Sequence, residues 1–443
     1  MHLRICLFIG LAFLATSCAD DAISSSEEQS LSINLNAASD RAGIIHYMLP
    51  DSDDFRSIPQ DPQNRITKEK IELGQMLFHE TAFALDGQFD AMAQTYSCGS
   101  CHNAKSGFHS GRMQGIADGG MGFGLAGEGR IKAPDSDETL LDVQQIRVPS
   151  NLNAAYQTNL LWNGKLGATN LNKGTEDLWK KDDDTDKNFL GYEGLETQAI
   201  VGLQFHRMKY DEELITQFGY KEMFDEAFGD VDIDDRYTFE RAGQAIAAFE
   251  RTMLSNKAPF QEWLRGSEHA MTESQMAGAS LFFGKGGCFN CHNGPSLAKM
   301  EFEAIGFSDF SAEVFNHNPD DAGKLGRAGF TQQKEDLYKF KVPQLYNLRD
   351  VKFFGHGSSF SSVREVIEYK NTAKSQNPEV SDGQLSEFFV PLNLSESEID
   401  ELVDFIENGL FDPDLERYLP ASVQSGNCFP NNDEESKKDL GCD

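Results

Sequence analysis

Apolar side chains recur at intervals of three or four residues in four stretches of the chain, and this spacing predicts amphipathic helices. The apolar positions are Ile71, Gly74, Leu77 and Phe78; Phe239, Ala242, Ile246, Phe249 and Met253; Met276, Ala279 and Phe283; and Ile399, Leu402, Ile406 and Leu410. Thr272 with Gln275, and Ser395 with Glu398, have the spacing of capping boxes and mark the starts of the last two helices. Alternation of period two is scarce. The pattern therefore predicts a mainly α fold in which the apolar stripes face the core.

Two stretches without this period predict irregular structure. Residues 111–129 contain eight glycines, which predicts a flexible or tightly turning loop. Residues 180–187 carry a run of lysines and aspartates, and this run predicts a solvated surface insertion. A calcium-binding loop is the alternative, but the spacing of acidic residues that such a loop requires is absent.

Composition narrows the functional class. The 443 residues include 39 Lys and Arg against 71 Asp and Glu, which gives a formal net charge of -32. A nucleic-acid-binding protein needs a positive surface, so this balance argues against that class. Hydrophobic residues make up 39% of the chain, as in a soluble folded protein, and the length leaves room for two or three domains.

The N-terminus has the features of a secretory signal. A basic start is followed by a short apolar run and by small residues, so we predict a signal peptide over residues 1–17. The run is too short to span a bilayer. Cys18 follows the small residues directly, as in a bacterial lipoprotein, and we expect lipidation there; ordinary cleavage is the alternative. The polar residues from Asp20 to Glu28 fit a flexible tether.

The position of each cysteine indicates its role. An exported chain lies where disulfides persist, so Cys428 and Cys442 in the C-terminal tail are expected to form a disulfide. A pair of exposed thiols is the alternative. Cys6 falls in the predicted signal, and with Cys18 and the tail pair set aside, four of the eight cysteines remain.

These four cysteines form two Cys-x-x-Cys-His motifs. The motif residues are Cys98, Cys101 and His102, and Cys288, Cys291 and His292. This is the attachment pattern of c-type haem, in which two thiols reach the two vinyl groups of one porphyrin and the histidine binds the iron as its proximal ligand. A zinc or redox site is the alternative. Zinc would pair the motifs across about 190 residues and would leave both histidines unexplained.

A helix followed by such a motif occurs twice, which predicts two cytochrome c-like helical domains, each with one covalent haem. After the signal peptide we expect a tether and N-terminal segment over residues 18–65 and a first haem domain over 66–265. A second haem domain is expected over 266–420, and a disulfide-closed tail over 421–443.

From about Leu73 to Tyr418 the chain resembles the bacterial diheme cytochrome c peroxidases and their relatives that mature a tryptophan-derived cofactor. The matching blocks are Leu73-Gly74 with Leu77-Phe78; Ser97 to His102 with Gly107-Phe108; Arg147-Val148-Pro149 with Asn153-Ala154; Leu161 to Gly164; Leu195 to Ala199; Ala248 to Thr252; Gly287 to Gly294; Phe340 to Pro343; and His356 with Val363 to Tyr369. The resemblance implies that the haem on His102 meets hydrogen peroxide and that the haem on His292 receives electrons. It also places Trp162 between the haems, where an indole suits electron transfer; simple core packing is the alternative.

The sequence departs from the family at the first haem. A distal histidine of many relatives is replaced by Asp118, a poor iron ligand, so we expect an open distal side. Gln198 matches a family glutamine, but no glutamate follows it ten residues later. Cleavage of peroxide needs a group that takes and returns a proton, and His206 is the best substitute. A surface role, or a bond to a haem propionate, is the alternative for His206.

Further departures concern the second haem and a calcium ion. The distal ligand is usually Met or Tyr, and the matching position here is Lys370, with Tyr369 beside it; no protein ligand is the third alternative. His356 matches a position next to this haem and is expected to bind there by a hydrogen bond. The family's interdomain calcium uses an asparagine where Val148 stands here, so calcium is expected only if backbone carbonyls suffice.

Together these features predict an oxidoreductase of the peroxidase type. It would reduce hydrogen peroxide to water with electrons from a small c-type cytochrome or cupredoxin-like donor in the periplasm or outer cell envelope. It would contact the membrane only through the lipid anchor at Cys18. An oxidase of a protein or small organic substrate is the first alternative, and a plain electron-transfer cytochrome is the second.

Overall fold

The computed structural model describes residues 26–311 and 314–442. The predicted signal peptide and Cys18 lie outside these residues. The described helices are α1 (Ser26–Ala38), α2 (Lys68–His79), α3 (Gly194–Phe205), α4 (Glu212–Gln217), α5 (Lys221–Ala227), α6 (Ile233–Arg236), α7 (Phe239–Arg251), α8 (Pro259–Leu264), α9 (Glu273–Phe282), α10 (Ala328–Thr331), α11 (Val363–Thr372), α12 (Glu396–Asp404) and α13 (Glu434–Leu440).

Strands are few and short in the described part of the chain. They are β1 (Gly120–Met121) with β2 (Ile131–Lys132), and β3 (Phe302–Glu303) with β4 (Phe340–Lys341), each pair antiparallel. The mainly α prediction is therefore confirmed. Across residues 26–311 and 314–442, none of the helices combines the length and the apolar character that a membrane crossing requires.

All four stretches with helical spacing form α-helices, namely α2, α7, α9 and α12, and the last stretch continues beyond α12 as a π-helical turn over Phe405–Gly409. Both capping boxes are formed, at Thr272 with Gln275 and at Ser395 with Glu398. The side chain of Thr67 caps α2 in the same way, by accepting a hydrogen bond from the backbone of Lys70. Local sequence was sufficient here, because each helix carries its own start signal and its own apolar face.

The apolar core forms two clusters. One collects the buried faces of α2, α3 and α7, and includes Leu77, Leu203 and Phe249. The other collects α9, α12 and residues of α8 and α11, and includes Phe282 and Leu402. Each cluster lies behind one Cys-x-x-Cys-His motif, so the core places the two motifs apart in the molecule. The predicted domain boundaries stay a prediction.

The N-terminal helix differs from the predicted tether. Residues 26–28 begin α1, which packs against α9 and buries Leu31 and Leu35 in the second cluster. Asn34 Nδ2 donates to the carbonyl oxygen of Ser280 at 2.9 Å, and the hydroxyls of Ser30 and Ser280 lie 2.8 Å apart. The described part of the predicted tether is therefore packed structure, because its helix has an apolar stripe that α9 covers.

The C-terminal tail packs at the other end of the molecule. Cys428 and Cys442 are joined by a disulfide with their Cα atoms 5.8 Å apart. Ser97 Oγ and Ser100 Oγ, in the turn of the first motif, both donate to the carbonyl oxygen of Pro430. The tail therefore covers the first motif, just as α1 supports the helix that leads into the second.

Candidate functional site

The first motif forms a single turn at the wall of a cavity. Residues Cys98–Ser100 make a 3₁₀ turn, closed by reciprocal side-chain and backbone bonds between Ser97 and Ser100. His102 Nδ1 lies 3.1 Å from the carbonyl oxygen of Phe108, so Nδ1 carries the proton and Nε2 is left free. Burial lowers the pKa of His102 to about 4. The imidazole is therefore neutral and has a lone pair for a metal ion.

The second motif repeats this geometry at a second cavity. Cys288–Asn290 forms the turn, and His292 Nδ1 lies 3.1 Å from the carbonyl oxygen of Leu297. Burial lowers the pKa of His292 to about 4. Cys291 and His292 line this cavity together with Cys288, whose thiol is free. Both histidines are thus neutral imidazoles that can bind a metal ion.

Both cavities fit a covalently attached haem. In each, two free thiols and one neutral imidazole line the same space. The motifs line separate cavities, so the thiols do not converge on one ion as a zinc site requires. Within the described residues, no group of three or more His, Cys, Asp and Glu side chains is placed to hold a metal ion. The calcium ion stays a prediction.

Trp162 lies in the wall that the two cavities share. It is 9% exposed and lines both. Its indole Nε1 donates to the carbonyl oxygen of Arg147 at 2.7 Å, and its own carbonyl accepts from the backbone of Lys341 at 2.8 Å. Trp162 thus lies between the two cavities, with its ring orientation fixed by a buried hydrogen bond, and its role between two haems stays a prediction.

Helix α3 supplies one wall of the first cavity. Gln198 and Gly202 are four residues apart and lie on one face of the helix, and His206 follows directly at its C-terminal cap. All three line the cavity. Sequence reasoning placed Gln198 and His206 at this site, and the structure brings both to the cavity that contains His102.

His206 has a carboxylate partner that sequence reasoning missed. Its Nδ1 lies 2.8 Å from Asp142 Oδ2, and Asp142 also lines the cavity. Burial alone would lower the pKa of His206, but the charge and hydrogen bond of Asp142 outweigh it, so that this pKa is raised above its usual value. Because Asp142 stands 64 positions before His206, no local motif signals the pair.

Asp118 does not line the first cavity. Its carboxylate is fully buried and accepts hydrogen bonds from Arg207 Nη1 and from the backbone of Gln88. The residue that replaces the family's distal histidine is therefore held in an ion pair away from the space in front of His102. The open distal side stays a prediction.

Glu250 is a second acid that sequence reasoning missed. It is 2% exposed, lines the first cavity, and accepts a hydrogen bond from Asn151 through Oε1, while Oε2 has no partner among the described residues. Burial raises the pKa of Glu250 to about 8. A carboxyl group with that pKa is largely neutral at pH 7. The signal available in the sequence was its position on the otherwise apolar face of α7.

In the second cavity the structure separates Lys370 from Tyr369. Lys370 lines the cavity together with His292. The Tyr369 hydroxyl instead donates to the carbonyl oxygen of Ile305. Of the two side chains weighed as distal ligands, Lys370 is thus the one that faces the cavity.

His356 lines the second cavity as well. Its ring stacks on Phe340 with the centroids 3.6 Å apart, and its Nε2 lies 2.9 Å from Asp309 Oδ1. It also lies edge-on to Trp162, with the ring centroids 6.3 Å apart. The ring is therefore fixed on both sides, next to the second cavity and the tryptophan.

Comparisons with known proteins agree with this geometry. Residues 68–269 match the model of the di-haem cytochrome c peroxidase family. The methylamine utilization protein MauG of Methylorubrum extorquens is 27% identical over 79% of this chain and 81% of its own length. The cytochrome c551 peroxidase of Nitrosomonas europaea is 25% identical over 76% of this chain and 81% of its own.

A solved structure shares the fold. A MauG-like protein associated with microbial copper homeostasis superposes with a TM-score of 0.58 at 22% identity, covering 85% of this chain and 97% of that protein. The family implies two haem c groups, and two cavities with matching attachment residues are present. Residues 68–269 thus match the di-haem cytochrome c peroxidases, and over most of its length the chain is similar to oxidoreductases of that kind.

Proposed function

We propose that the protein reduces hydrogen peroxide to water with two electrons from a small donor protein. The observation that carries this proposal is the pair of His206 and Asp142 in the cavity of His102. Peroxide reduction consumes two protons and two electrons for each two molecules of water formed. A site for it therefore needs a proton-exchanging group beside the redox centre, and this pair supplies one.

In this proposal two residues of the first cavity have separate roles in proton transfer. A haem attached at Cys98 and Cys101 would supply the electrons and an iron to which peroxide binds. His206 exchanges a proton through Nε2, because Nδ1 is occupied by Asp142. It would take the proton from one oxygen of peroxide and return it to the other, which is released as water; the remaining oxygen would become the second water as the two electrons and two further protons are supplied. Asp142 orients the ring and stabilises its charged form.

Electrons would enter at the second cavity and pass Trp162. This residue lines both cavities, so it lies on the short route between them. The donor remains a proposal: a c-type cytochrome or cupredoxin-like protein with a basic docking face. The net charge of -32 favours such a partner, because complementary potentials speed encounter. Turnover should then fall steeply as salt is added, and salt-independent turnover would contradict this part.

An oxidase of a protein or organic substrate is the second candidate. The observation that favours it is Lys370 at the second cavity in place of a methionine. A nitrogen donor lowers the potential of a haem relative to a thioether, so this haem would take up electrons from a donor protein less readily than a methionine-bound haem would. Gln198 and His206 would serve this reaction as well, so the two candidates differ in the source of electrons.

The test is peroxide-dependent oxidation of a reduced small cytochrome by the fully oxidised protein as isolated. Wild type is compared with His206→Gln, and His269→Gln, at an exposed position, is the matched control. We expect rapid turnover by wild type and control, and a large loss in His206→Gln. A persistent change of the haem spectrum without turnover would favour the oxidase. A spectrum that peroxide leaves unchanged would favour an electron carrier.

We also propose export to the periplasm or outer cell envelope with a lipid anchor at Cys18. The support is the sequence pattern of residues 1–18. Cys18→Ala should move the protein from the membrane fraction to the soluble fraction of the envelope. Equal partition of wild type and variant would contradict the anchor.

A further inference from the structure

Two buried cations lie beside Trp162 in the wall between the cavities. Lys341 is 6% exposed, and its ammonium donates to the neutral amide of Gln157. Arg147 is 5% exposed, and its Nη2 lies 3.0 Å from His109 Nδ1. Both side chains line both cavities. The wall between the two haem sites is therefore positively charged.

Neither cation has an acidic partner. Among the described residues no carboxylate oxygen lies within 4 Å of Arg147 or Lys341. Two other buried arginines do have acidic partners. Arg251 pairs with Glu196 at 2.7 Å, and Arg130 lies 3.7 Å from Asp433. An unpaired buried charge is strongly unfavourable, so these two cations call for an anion that the chain itself does not provide.

The backbone holds the two cations in fixed positions. Lys341 lies on β4, and its N–H donates to the carbonyl of Trp162. The carbonyl of Arg147 accepts from the Trp162 indole, and its N–H donates to the carbonyl of His356 at 2.8 Å. The cations are therefore part of the same bonded strip as the tryptophan, and they face the spaces that the haems would fill.

We propose that Arg147 and Lys341 form a carboxylate-binding site in the shared wall, which takes a propionate from each of the two haems. Haem is the anion source that fits, since each haem carries two propionates and both cavities contain attachment residues. Burial lowers the pKa of Lys341 to about 7 and that of Arg147 to about 9, and an adjacent carboxylate keeps both groups charged. This site rests on the two haems, and peroxide turnover is not required for it.

The site has a consequence for both reduction potentials. A positive charge beside a haem stabilises the reduced form, because reduction adds an electron. Removing the Lys341 charge leaves its propionate unneutralised and favours the oxidised form at both haems. We expect Lys341→Met to shift the equilibrium constant for reduction of each haem at least tenfold, which is 59 mV for a one-electron couple.

Spectroelectrochemical titration of both haems tests the site. Lys334→Met, at an exposed position before β4, is the matched control. The propionate bending bands in the resonance Raman spectrum provide a second readout, and they should shift in Lys341→Met alone. Unchanged potentials and bands in Lys341→Met would overturn the proposal. Both measurements are made without peroxide, so their failure is distinct from failure of the proposed activity.

A variant that does not load haem is also informative. Lys341→Arg keeps the positive charge, whereas Lys341→Gln removes it with a similar length. We expect wild-type haem content and potentials in Lys341→Arg. In Lys341→Gln we expect lower haem content, and lower potentials for the haem that is loaded. Equal behaviour of the two variants would overturn the proposal. Potentials that depend on phosphate concentration would assign the cations to a solvent anion, and that result would overturn it as well.

Discussion

The two cavities each contain a histidine paired with an aspartate, but the two pairs are built for different tasks. The His206 side chain is 34% exposed and binds Asp142 through Nδ1, so Nε2 is free to meet a substrate. The His356 side chain is 4% exposed, binds Asp309 through Nε2, and is covered by Phe340. The same two residue types therefore give a partly exposed ring in one cavity, where we propose that it exchanges protons, and a buried, stacked ring in the other.

The other residues that line the two cavities also differ in polarity. The first cavity also contains Gln198 and Glu250, a glutamine that can orient a substrate and an acid that burial keeps neutral. The second cavity is lined largely by apolar side chains, and Lys370 is one of its few charged lining residues. The side chains to which we assign proton chemistry thus line the first cavity, whereas mostly apolar side chains surround the attachment motif of the second.

The largest expected effect tests the difference between the two pairs directly. His206→Gln should lower the second-order rate constant for peroxide by about 10²–10⁴-fold, the usual contribution of a general acid–base group. His356→Gln should lower it by less than about tenfold, because the His356 ring is buried against Phe340 at the second cavity, away from the cavity of His102. Stopped-flow mixing of the oxidised protein with peroxide measures both. Equal losses of the rate constant in the two variants would show that the two histidine–aspartate pairs do not differ in function.

The second prediction concerns the supports of the two cavities. The tail covers the first motif through Pro430, so removing the disulfide with Cys428→Ser and Cys442→Ser should destabilise that half. A cross-link of this loop length contributes about 3 kcal/mol to the free energy of unfolding. Denaturant titration followed by circular dichroism measures the loss. The spectrum of the haem on His102 should change while that of the haem on His292 does not.

The third prediction concerns the second cavity alone. If Lys370 binds the iron, Lys370→Met replaces a nitrogen donor with a thioether and should raise the potential of that haem. We expect a shift of about 59 mV or more, a tenfold change in its reduction equilibrium. The potential of the haem on His102 should stay the same. Tyr369→Phe is the control, because its hydroxyl is bound to the carbonyl of Ile305.

The smallest effect is a shift in pH dependence at the first cavity. His206 must be neutral to accept a proton, so the rate constant for peroxide should rise with pH through the His206 pKa, which lies above its usual value of about 6.5. Asp142→Asn removes the charge that raises this pKa, and the midpoint should move to lower pH. A midpoint that stays in place would show that another group controls the rate.

The same pair makes a small contribution to stability that depends on pH in the opposite direction. The charged pair stabilises the fold fully below the unfolded-state pKa of His206, about 6.5, and this stabilisation is lost as pH rises through the raised folded-state pKa. The difference in unfolding free energy between wild type and His206→Gln should therefore shrink as pH increases.

Sequence alone was informative wherever the signal was local. The helices, their caps and both attachment motifs depend on residues a few positions apart, and they were predicted for that reason. Asp142 depends on a partner 64 residues away, and the bond between Ser30 and Ser280 spans 250 residues. Contacts of that range leave no periodic trace in the chain, so the pair and the supporting helix required the fold.

The sequence could not decide between Lys370 and Tyr369 because the answer depends on how α11 is rotated about its axis. Adjacent residues on a helix point about 100° apart, so the spacing from His356 narrowed the choice to one turn. Only the rotation of α11 against its neighbours decides which side chain enters the cavity. That rotation depends on packing over the whole helix, with Val363 and Ile367 buried beneath it.

The tail that covers the first motif also affects the order in which the molecule can be completed. A chain emerges from its N-terminus during synthesis, so the turn at Cys98 appears more than 300 residues before Pro430. The turn that carries these thiols therefore lacks its Pro430 contacts for most of that time, and the tail packs against it last. Such an order would leave the turn accessible for attachment of a prosthetic group before the tail fixes it in place.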